Sequence, residues 1–389
     1  MDSTGLPSKE SPDLRLVVAT YEELIQQQHA NSEEWRGALS HEQYLQRESI
    51  LYDQDLTRDG GLTPWALVYQ PDSNGPRQVL CGCETLNKRA LVALDGKVED
   101  VICHGVASVF CPPKYRGKGY AGRMMEDLGK KLRSWQVDNG KACLFSILYS
   151  DIGKEFYTAR GWHPFPSAQI ILPAAAEQSS KDARPLGAEE LSELCTADEG
   201  LLRKKLSALK DAGRTVVATV PDHRTLAWHH AREDYVAKQL CGKQPHVKGA
   251  IVGDEPGRRV FAYWTRVWTN PQEDGPNTLH ILRIVVEEDT LSDIVPASTE
   301  VVAKVKDSRV THALAAVLSV AQSEAAKWDM KEVSIWNPTS ATLAAAQLTN
   351  PSVAIQHREK ESITSLQWYG ETGSWQDIDW VCNEKYGWC

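Results

Sequence analysis

The sequence predicts a mixed α/β protein (α+β, with mixed sheets) built in two halves. Three observations support this. First, 389 residues are too many for one ordinary hydrophobic core. Second, short β-branched apolar runs alternate along the chain with segments of helical periodicity. Third, both halves show the same order of hairpin, strand, helix, strand, short helix and strand. The halves share little sequence identity, so the repeat is one of pattern.

The first half is expected to open with a strand and two helices. Two further strands flank the turn sequence PDSNGP, and a third lies close behind them or continues the second. A buried strand, a helix with one apolar face, a strand, a short helix and a closing strand complete this half. In chain order, these elements are predicted at residues 14–20, 21–29, 41–53, 66–69, 78–86, 90–94, 106–111, 121–135 and 142–149, then between Asp151 and Gly161 for the short helix that carries Phe156 and Tyr157, and at 167–172.

The second half is predicted to follow a linker at residues 174–188, which contains the sequence AAAEQSSKDARP. The expected domains are therefore 1–173 and 189–389. The second domain ends in a tail rich in tryptophan, with Trp375, Trp380 and Trp388. Its elements are expected at 246–253, 259–268, 279–286, 311–327, 331–336, 340–348 and 362–369.

Composition limits the classes of partner and compartment. The net charge of −9 argues against nucleic acid as the main partner. The N-terminal segment has no apolar signal region, and no apolar run is long enough to span a membrane. Nine cysteines are scattered without the spacing of a zinc site. We expect a cytoplasmic protein with reduced thiols and no metal. The oligomeric state stays open, and a monomer of tandem domains is one option.

The stretch KYRGKGYAGRMM, at residues 114–125, joins the buried strand directly to the apolar-faced helix. It has three interpretations. A dinucleotide fingerprint is formally present, but it follows about four strands, and the next strand lacks the acidic end that this fingerprint requires. The glycines could also serve only a tight turn. The third interpretation is a diphosphate held by main-chain N–H groups at a helix N-terminus.

The arrangement in the third interpretation, a glycine loop that leads from a buried strand into a helix, resembles the acetyl-coenzyme A site of the GNAT acyltransferases. Their signature of Arg or Gln, two residues, Gly, one residue, and Gly or Ala is met in full by residues 116–121. A later stretch, FYTARGW at 156–162, also resembles this family. The length, the segment WHHARED at 228–234 and the ending DIDWVCNEKYGWC resemble the fungal lysine N6-acetyltransferases that begin lysine breakdown.

The resemblance implies an N-terminal GNAT fold and a second, degenerate GNAT-like domain. In the second half, the twenty residues between strand and helix contain no glycine, so no phosphate loop is expected there. The resemblance implies acetyl-coenzyme A as the donor, free L-lysine as the acceptor and direct attack by the amine. The residues expected to bind the coenzyme are Val109, Phe110, Cys111, Arg116, Gly117, Lys118, Gly119, Tyr120, Ala121, Ser150 and Tyr157.

The expected catalytic residues are Tyr157, as proton donor to the leaving thiolate, and His104, as base. Glu84 and a chain of water molecules are alternatives for the base. A main-chain N–H near Val109 to Cys111 is expected to stabilise the oxyanion. Cys111 could instead act as a nucleophile in a ping-pong reaction, although a buried thiol fits it better.

The acceptor and the C-terminal tail complete the expectations. Other amines, namely a polyamine, an aminoglycoside-like compound or a protein lysine, remain alternative acceptors, and a non-catalytic coenzyme-binding scaffold is a further alternative. The sequence alone does not identify the residues that bind the acceptor's carboxylate and α-amine. The tail is expected to pack on a domain because its tryptophans are too apolar to leave in water. It could place the Cys389 carboxylate near the substrate.

Overall fold

The computed structural model describes residues 5–137, 140–176, 180–209, 213–273, 275–288, 297, 308–371 and 373–388. The eight α-helices found there are α1 Tyr21–Trp35, α2 His41–Tyr52, α3 Tyr120–Leu132, α4 Glu155–Thr158, α5 Leu191–Ala208, α6 His223–Cys241, α7 Arg309–Lys327 and α8 Ser340–Thr349. No helix in these ranges has the length and apolar character needed to cross a membrane.

The strands of the described residues form two mixed sheets. They are β1 Leu14–Val18, β2 Leu62–Tyr69, β3 Gln78–Leu94, β4 Lys97–Phe110, β5 Cys143–Ser150, β6 His163–Pro164, β7 Ala168–Pro173, β8 Arg184–Leu186, β9 Thr215–Thr219, β10 Gly249–Val252, β11 Val260–Val267, β12 Thr278–Val286, β13 Glu332–Trp336, β14 Gln356–His357, β15 Ile363–Trp368 and β16 Ile378–Trp380.

The first sheet runs β1-β2-β3-β4-β5-β15-β6, and the far end of β3 also pairs with β9, which in turn pairs with β16. The second sheet runs β14-β7-β13-β12-β11-β10-β8. In each sheet the central crossover is parallel, β4 beside β5 and β12 beside β13, while most other pairs are antiparallel. The predicted mixed α/β fold in two parts is confirmed.

The two sheets exchange strands. We expected the strand at 167–172 to close the first half, but β7 pairs with β13 in the second sheet. Its place beside β5 is taken by β15, from near the C-terminus. That expectation was wrong because strand pairing between distant segments leaves no local signal in a sequence. The domain boundary at residue 173 stays a prediction, and strand pairing crosses it in both directions.

The central hairpin is longer than predicted. Strands β3 and β4 form one continuous ribbon that turns at Asp95 and Gly96, both of which have positive φ angles. The sequence had suggested strands at 78–86 and 106–111, with 90–94 either a separate strand or a continuation of the first, and the structure shows the continuation. The far half of this ribbon carries β9, so the second half of the chain is anchored on the first sheet.

Helix α3 packs its apolar face on the first sheet. Met124, Met125, Leu128 and Leu132 are fully buried, in a cluster with Leu80 and other residues of β2, β3 and β5. Truncating one of these leucines to alanine would cost about 2–5 kcal/mol of stability. This packing fixes the N-terminus of α3 at the end of β4.

Helix α6 joins the two halves and was not predicted. Asp222 caps its N-terminus and Gly242, with a φ of 70°, ends it. Its contact with α2 includes two side-chain hydrogen bonds, from Gln43 to Gln239 (3.0 Å) and from Tyr235 to Gln46 (2.9 Å). Residues of the second half therefore face the helices that cover the first sheet.

Candidate active site

Strands β4 and β5 separate at one end of the first sheet. They pair in parallel from Ile102 and Cys143 to Val106 and Leu148, and within the described residues no pairing between them is found beyond this point. Both strands nevertheless continue, to Phe110 and Ser150. The result is a wedge-shaped opening between the ends of two adjacent strands.

A bulge shapes the β4 side of this opening. The β3–β4 register shifts between Gly82 and Glu84, and Ser108 has a φ of 52°, which is unusual for a residue with a side chain. Ala107, Ser108 and Val109 are only half-buried, although the strand around them is buried. The bulge therefore turns main-chain groups of β4 towards the opening, where a donor to an oxyanion would have to lie.

The glycine loop lies between this opening and α3. Gly117 and Gly119 have φ angles of 77° and 81°, and Gly119 is the N-cap residue of the helix. The first N–H groups of a helix do not bond to carbonyls of the same helix, so those of Ala121 and Gly122 face outward at the positive end of the helix dipole. A Cβ at Gly117 would meet no atom within 4 Å. The loop is therefore open towards solvent and suited to an anion.

Basic side chains surround the loop. Arg116 donates to the Cys111 carbonyl (2.9 Å) and forms an exposed ion pair with Glu34 (3.1 Å). Exposed pairs of this kind contribute at most about 1 kcal/mol, so Arg116 is available to a stronger anion. The Lys9 side chain crosses Gly119, where an added Cβ would lie 2.6 Å from its Cδ. These charges fit the diphosphate of coenzyme A.

The N-terminal segment brings Lys9 to this place. Tyr120, which is fully buried, donates its hydroxyl hydrogen to the Pro7 carbonyl (2.5 Å), and Arg123 donates to the Lys9 carbonyl (3.0 Å). Tyr120, predicted to bind the coenzyme, therefore holds the segment with its side chain, and only its main chain faces the loop. Lys9 was not predicted to lie at the loop because more than 100 residues of chain separate it from Gly119.

Tyr157 lies on α4, on the α3 side of the first sheet. It is buried and packs in the cluster that contains Cys83 and the apolar face of α3. Burial, and to a lesser extent the nearby Cys83 thiol, raises the pKa of the Tyr157 hydroxyl above its usual range. The hydroxyl therefore stays protonated, as a proton donor to a thiolate must.

Ser150 and Cys111 lie at the edges of the opening. The Ser150 hydroxyl is used within a turn, since it donates to the Gly153 carbonyl (2.6 Å) and accepts from the Ile152 N–H (3.2 Å). Burial raises the pKa of the half-buried Cys111 thiol. A thiol that stays protonated is a poor nucleophile, so the structure favours direct attack over a covalent cysteine intermediate.

Glu84 lies across the opening, facing α2. Its Oε2 accepts a hydrogen bond from the Ser108 hydroxyl (2.6 Å). Burial, followed by the charge of Glu48 on α2, raises the pKa of the Glu84 carboxyl from 4.5 to about 7, although the Ser108 bond opposes this. A half-buried carboxyl with this pKa can accept a proton at neutral pH.

His104 is less suited to the role of base than we expected. It is fully buried within the paired part of β4, two residues before the strands separate. Its Nε2 lies 3.1 Å from the Trp135 carbonyl, and burial lowers the pKa of the ring to about 4. A ring so weakly basic accepts a proton poorly at neutral pH. Because its Nε2 lies against a carbonyl just after α3, this nitrogen is also not available to an incoming amine. Its assignment remains a prediction that these observations disfavour.

The second sheet has an equivalent opening, and the C-terminal tail fills it. Strands β12 and β13 pair only as far as Ile281 and Ile335. Beyond these residues, Glu384 accepts from the Ile284 N–H (3.0 Å), and Asn337 donates to the Asn383 carbonyl (2.5 Å). The second sheet thus has no open wedge at this place. The glycine-free stretch predicted to lack a phosphate loop lies almost entirely outside the described residues.

The tail then reaches the first half. Trp388 packs with Leu51, Leu86 and Ala107, beside the opening of the first sheet. Lys88 donates to the Gly387 carbonyl (2.8 Å), and the His229 Nε2 lies 3.1 Å from the Tyr386 carbonyl. The tail therefore packs against the first half's cleft, as expected. Cys389 itself lies outside the described residues, so the placement of its carboxylate stays a prediction.

The family is decided by the second half of the chain. Residues 169–389 match a family model described as the LYC1 GNAT-like C-terminal domain. This match covers more than half of the 389 residues. The chain belongs to the LYC1 GNAT-like family. The resemblance found in the sequence is thereby confirmed.

Two curated relatives of this LYC1-like chain are known from yeasts. One is named a lysine acetyltransferase, from Yarrowia lipolytica, and is 25% identical over 262 residues. The match covers 57% of this chain and 65% of the Yarrowia protein, which is just under two thirds of its length. The other is an uncharacterised Saccharomyces cerevisiae protein that is 23% identical. The match covers 67% of this chain and 72% of the Saccharomyces protein.

Solved structures of similar fold are N-acyltransferases. A probable N-acyltransferase of Enterococcus faecalis has a TM-score of 0.51 and 11% identity. The match covers 91% of this chain and 72% of the Enterococcus chain. Saccharomyces cerevisiae N-myristoyltransferase with bound myristoyl-CoA has a TM-score of 0.50 and 9% identity. The match covers 94% of this chain and 81% of the N-myristoyltransferase chain. These similarities support the GNAT-like fold of the LYC1-like chain.

Some residues of the site had no signal in the sequence. Ser108 is one, because its role depends on a bulge. Glu48 is another, since it reads as an ordinary polar residue of a helix. In the described part of the chain, His, Cys, Asp and Glu side chains do not gather in groups of three that could hold a metal ion.

Proposed function

We propose that this protein is an N-acetyltransferase that transfers the acetyl group of acetyl-coenzyme A to the ε-amine of free L-lysine, giving N6-acetyl-L-lysine. Membership of the LYC1 GNAT-like family supports acetyl transfer. The similarity to a Yarrowia protein named lysine acetyltransferase supports lysine as the acceptor. We further propose that the reaction takes place in the cytoplasm, with neither a membrane nor a nucleic acid as partner.

The observation that carries the proposal is the arrangement of Glu84 and Tyr157 about one opening. Glu84, hydrogen-bonded to Ser108 on β4, faces α2. Tyr157 packs on the α3 side of the same sheet, next to the phosphate loop. A proton acceptor and a proton donor on opposite sides of one wedge are what transfer between an amine and a thioester requires.

Acetyl-coenzyme A supplies an activated thioester, and the residues of the chain do the rest. The main-chain N–H groups of residues 117–121 and the Arg116 guanidinium hold the diphosphate. Glu84 removes a proton from the lysine ammonium, whose pKa is near 10.4 in water. The neutral amine forms a C–N bond to the acetyl carbon as the C–S bond breaks, and the nitrogen then loses its second proton, which replaces the one that Tyr157 donates. A main-chain N–H in the β4 bulge stabilises the carbonyl oxygen, and Tyr157 gives its proton to the departing sulfur.

The proposal is tested by following thiol release from acetyl-coenzyme A with a panel of amines. The panel contains L-lysine, L-ornithine, spermidine, an aminoglycoside and a lysine-containing peptide, and mass spectrometry of the lysine product identifies the acetylated nitrogen. We expect the highest kcat/KM with L-lysine and acetylation at N6. A higher kcat/KM with another amine would show that this amine, and not L-lysine, is the acceptor. Tight coenzyme binding with no thiol release for any amine would make the protein a scaffold instead.

A matched variant separates catalysis from background hydrolysis. Gly119→Asp places a negative charge in the phosphate loop and should abolish thiol release with every amine. Thiol release that survives this change would show that the reaction does not use the loop.

A further inference from the structure

Helix α6 brings a second-half arginine to the opening of the first sheet. Arg232 lies one turn from Trp228, which packs with Leu51 of α2 and Leu86 of β3. Trp388 of the tail completes this wall, with the centre of its ring 5.8 Å from the Arg232 guanidinium. Arg232 therefore lies where the two halves and the tail meet, beside the half-buried residues of the β4 bulge.

The Arg232 guanidinium forms no direct salt bridge or hydrogen bond within the described part of the chain, although the charge of the Glu48 carboxylate acts on it. Three other interior arginines of the second half differ in this respect. Arg259, Arg266 and Arg283 each form close ion pairs with buried carboxylates. Arg232 is half-buried, and burial, followed by the positive charge of Arg47, lowers the pKa of its guanidinium to about 9, although the charge of Glu48 opposes this. A half-buried guanidinium without a hydrogen-bond acceptor on the protein is available to a ligand that supplies one.

A carboxylate lies on the facing helix. The Glu48 side chain is only 17% exposed, and its Oε1 accepts from Arg47 (2.7 Å to Nε). Within the described residues its second oxygen has no donor. The charges of Glu48 and Arg232 both act on the Tyr44 hydroxyl, as does that of Glu84. The three charged groups therefore lie in the neighbourhood of Tyr44, where α2, α6 and β3 meet.

Apolar side chains pack beside these charges, namely Leu86, which is two residues from Glu84 on β3, with Ala107 and Trp388 against the same cluster. An L-amino acid with a terminal amine has matching chemistry, since it carries a carboxylate and an ammonium at one end, methylenes in the middle and a reactive amine at the other.

We infer that Arg232 binds the α-carboxylate of the acceptor and Glu48 binds its α-ammonium, so that the side-chain amine is placed against Glu84. This inference rests on the proposed function and specifies how its acceptor is recognised. Polyamines and peptide lysines lack the free α-carboxylate and would leave Arg232 without a partner. Selectivity for a free amino acid follows from the charged hydrogen bonds to Arg232 that these other amines cannot make.

The test compares L-lysine with cadaverine, which is lysine without its carboxylate. Arg232→Gln should lower kcat/KM for L-lysine about 10- to 100-fold, mainly through KM, because charged hydrogen bonds are lost. It should leave kcat/KM for cadaverine unchanged or higher. Arg232→Lys should restore part of the activity on lysine. Arg224→Gln is the matched control, since Arg224 lies on the same helix but pairs with Asp222 (3.2 Å); both activities should be unchanged.

Equal losses of activity on lysine and cadaverine in Arg232→Gln would make Arg232 a structural residue and overturn the inference. So would an unchanged kcat/KM for lysine. The coenzyme affinity and melting temperature of the variant should match the wild type, which separates recognition from misfolding.

A second comparison addresses Glu48. Nα-acetyl-L-lysine keeps the carboxylate and lacks the α-ammonium, so its KM in the wild type should be about 10-fold higher than that of lysine. Glu48→Gln should remove most of this difference. Equal KM values in the wild type would overturn the role of Glu48.

The wild-type measurements also separate this inference from the proposed function. If the wild type acetylates L-ornithine instead of L-lysine, the proposed substrate is wrong and Arg232 keeps its role, to be tested with putrescine in place of cadaverine. If the wild type acetylates only amines without a carboxylate, both the proposed substrate and the inferred role of Arg232 are wrong. If no amine is acetylated, calorimetric binding of L-lysine in the presence of coenzyme A decides: binding lost in Arg232→Gln supports the inference, and no binding to the wild type overturns it.

Discussion

The raised pKa of Glu84 has a consequence for stability that can be measured without any substrate. The pKa of this carboxyl is about 7 in the folded protein and 4.5 in the ordinary, unfolded environment. As the pH rises above 4.5, the unfolded state loses this proton first. The folded state keeps it until about pH 7, so the folded state loses stability across this window.

The size of the effect follows from the two pKa values. Each unit of difference corresponds to about 1.4 kcal/mol, so the full cost of ionising Glu84 in the folded protein is on the order of 3 kcal/mol. Between pH 5 and pH 8 the change is about 2 to 3 kcal/mol, because the unfolded carboxyl is already partly ionised at pH 5. Glu84→Gln removes the titration and retains an acceptor for the Ser108 hydroxyl.

The assay is urea unfolding of wild type and Glu84→Gln at pH 5 and pH 8. The free energy of unfolding of the variant should gain about 2 to 3 kcal/mol relative to the wild type between these values. Glu361→Gln, which changes an exposed carboxylate, is the control and should follow the wild type at both values. Equal pH dependence in wild type and Glu84→Gln would show that Glu84 titrates normally and is unsuited to be the base.

The remaining predictions concern pH, catalysis and the tail. The kcat/KM for lysine should rise with pH through a midpoint near 7, because Glu84 must be deprotonated to accept a proton, and an identical rise in Glu84→Gln would contradict this. Tyr157→Phe should lower kcat about 100-fold with the KM for acetyl-coenzyme A within twofold; a raised KM with intact kcat would make Tyr157 a packing residue. Glu384→Gln weakens the buried pair with Arg283 and should lower the free energy of unfolding by roughly 2 kcal/mol in urea denaturation, whereas unchanged stability would mean that the tail does not hold the second sheet.

The sequence was informative where the structure depends on local chemistry. The phosphate loop is a contiguous segment, and its glycines adopt the positive φ angles that make glycine necessary. The apolar stripe of α3 was predicted from helical spacing, and Met125, Leu128 and Leu132 are buried as expected. Both features are decided by neighbours a few residues away.

Other parts depend on distant contacts and were missed. The exchange of β7 and β15 between the sheets depends on pairing across about 200 residues. Helix α6 was not predicted because it buries charged and polar residues, so that its apolar periodicity is weak. Glu233 on that helix, for example, is buried against Lys248 and Arg266. Such ion pairs replace the apolar contacts that a sequence pattern would reveal.

The candidate site shows the same division. Tyr157 and the loop residues were found from a contiguous motif. His104 was preferred as base because its ordinary pKa is suitable, but burial moves that pKa away from neutrality. Glu84 acquires a suitable pKa only through the folded surroundings supplied by α2.

The most direct test of the central claim is calorimetric titration of the protein with acetyl-coenzyme A, for wild type and Gly119→Asp. The first sheet has an open wedge with a phosphate loop, and the second has its wedge filled by the tail, so one molecule should bind per chain. A new carboxylate about 4 Å from the diphosphate costs about 4 kcal/mol, so Gly119→Asp should weaken binding about 1000-fold. Two bound molecules per chain, or unchanged affinity in a folded Gly119→Asp variant, would contradict the account.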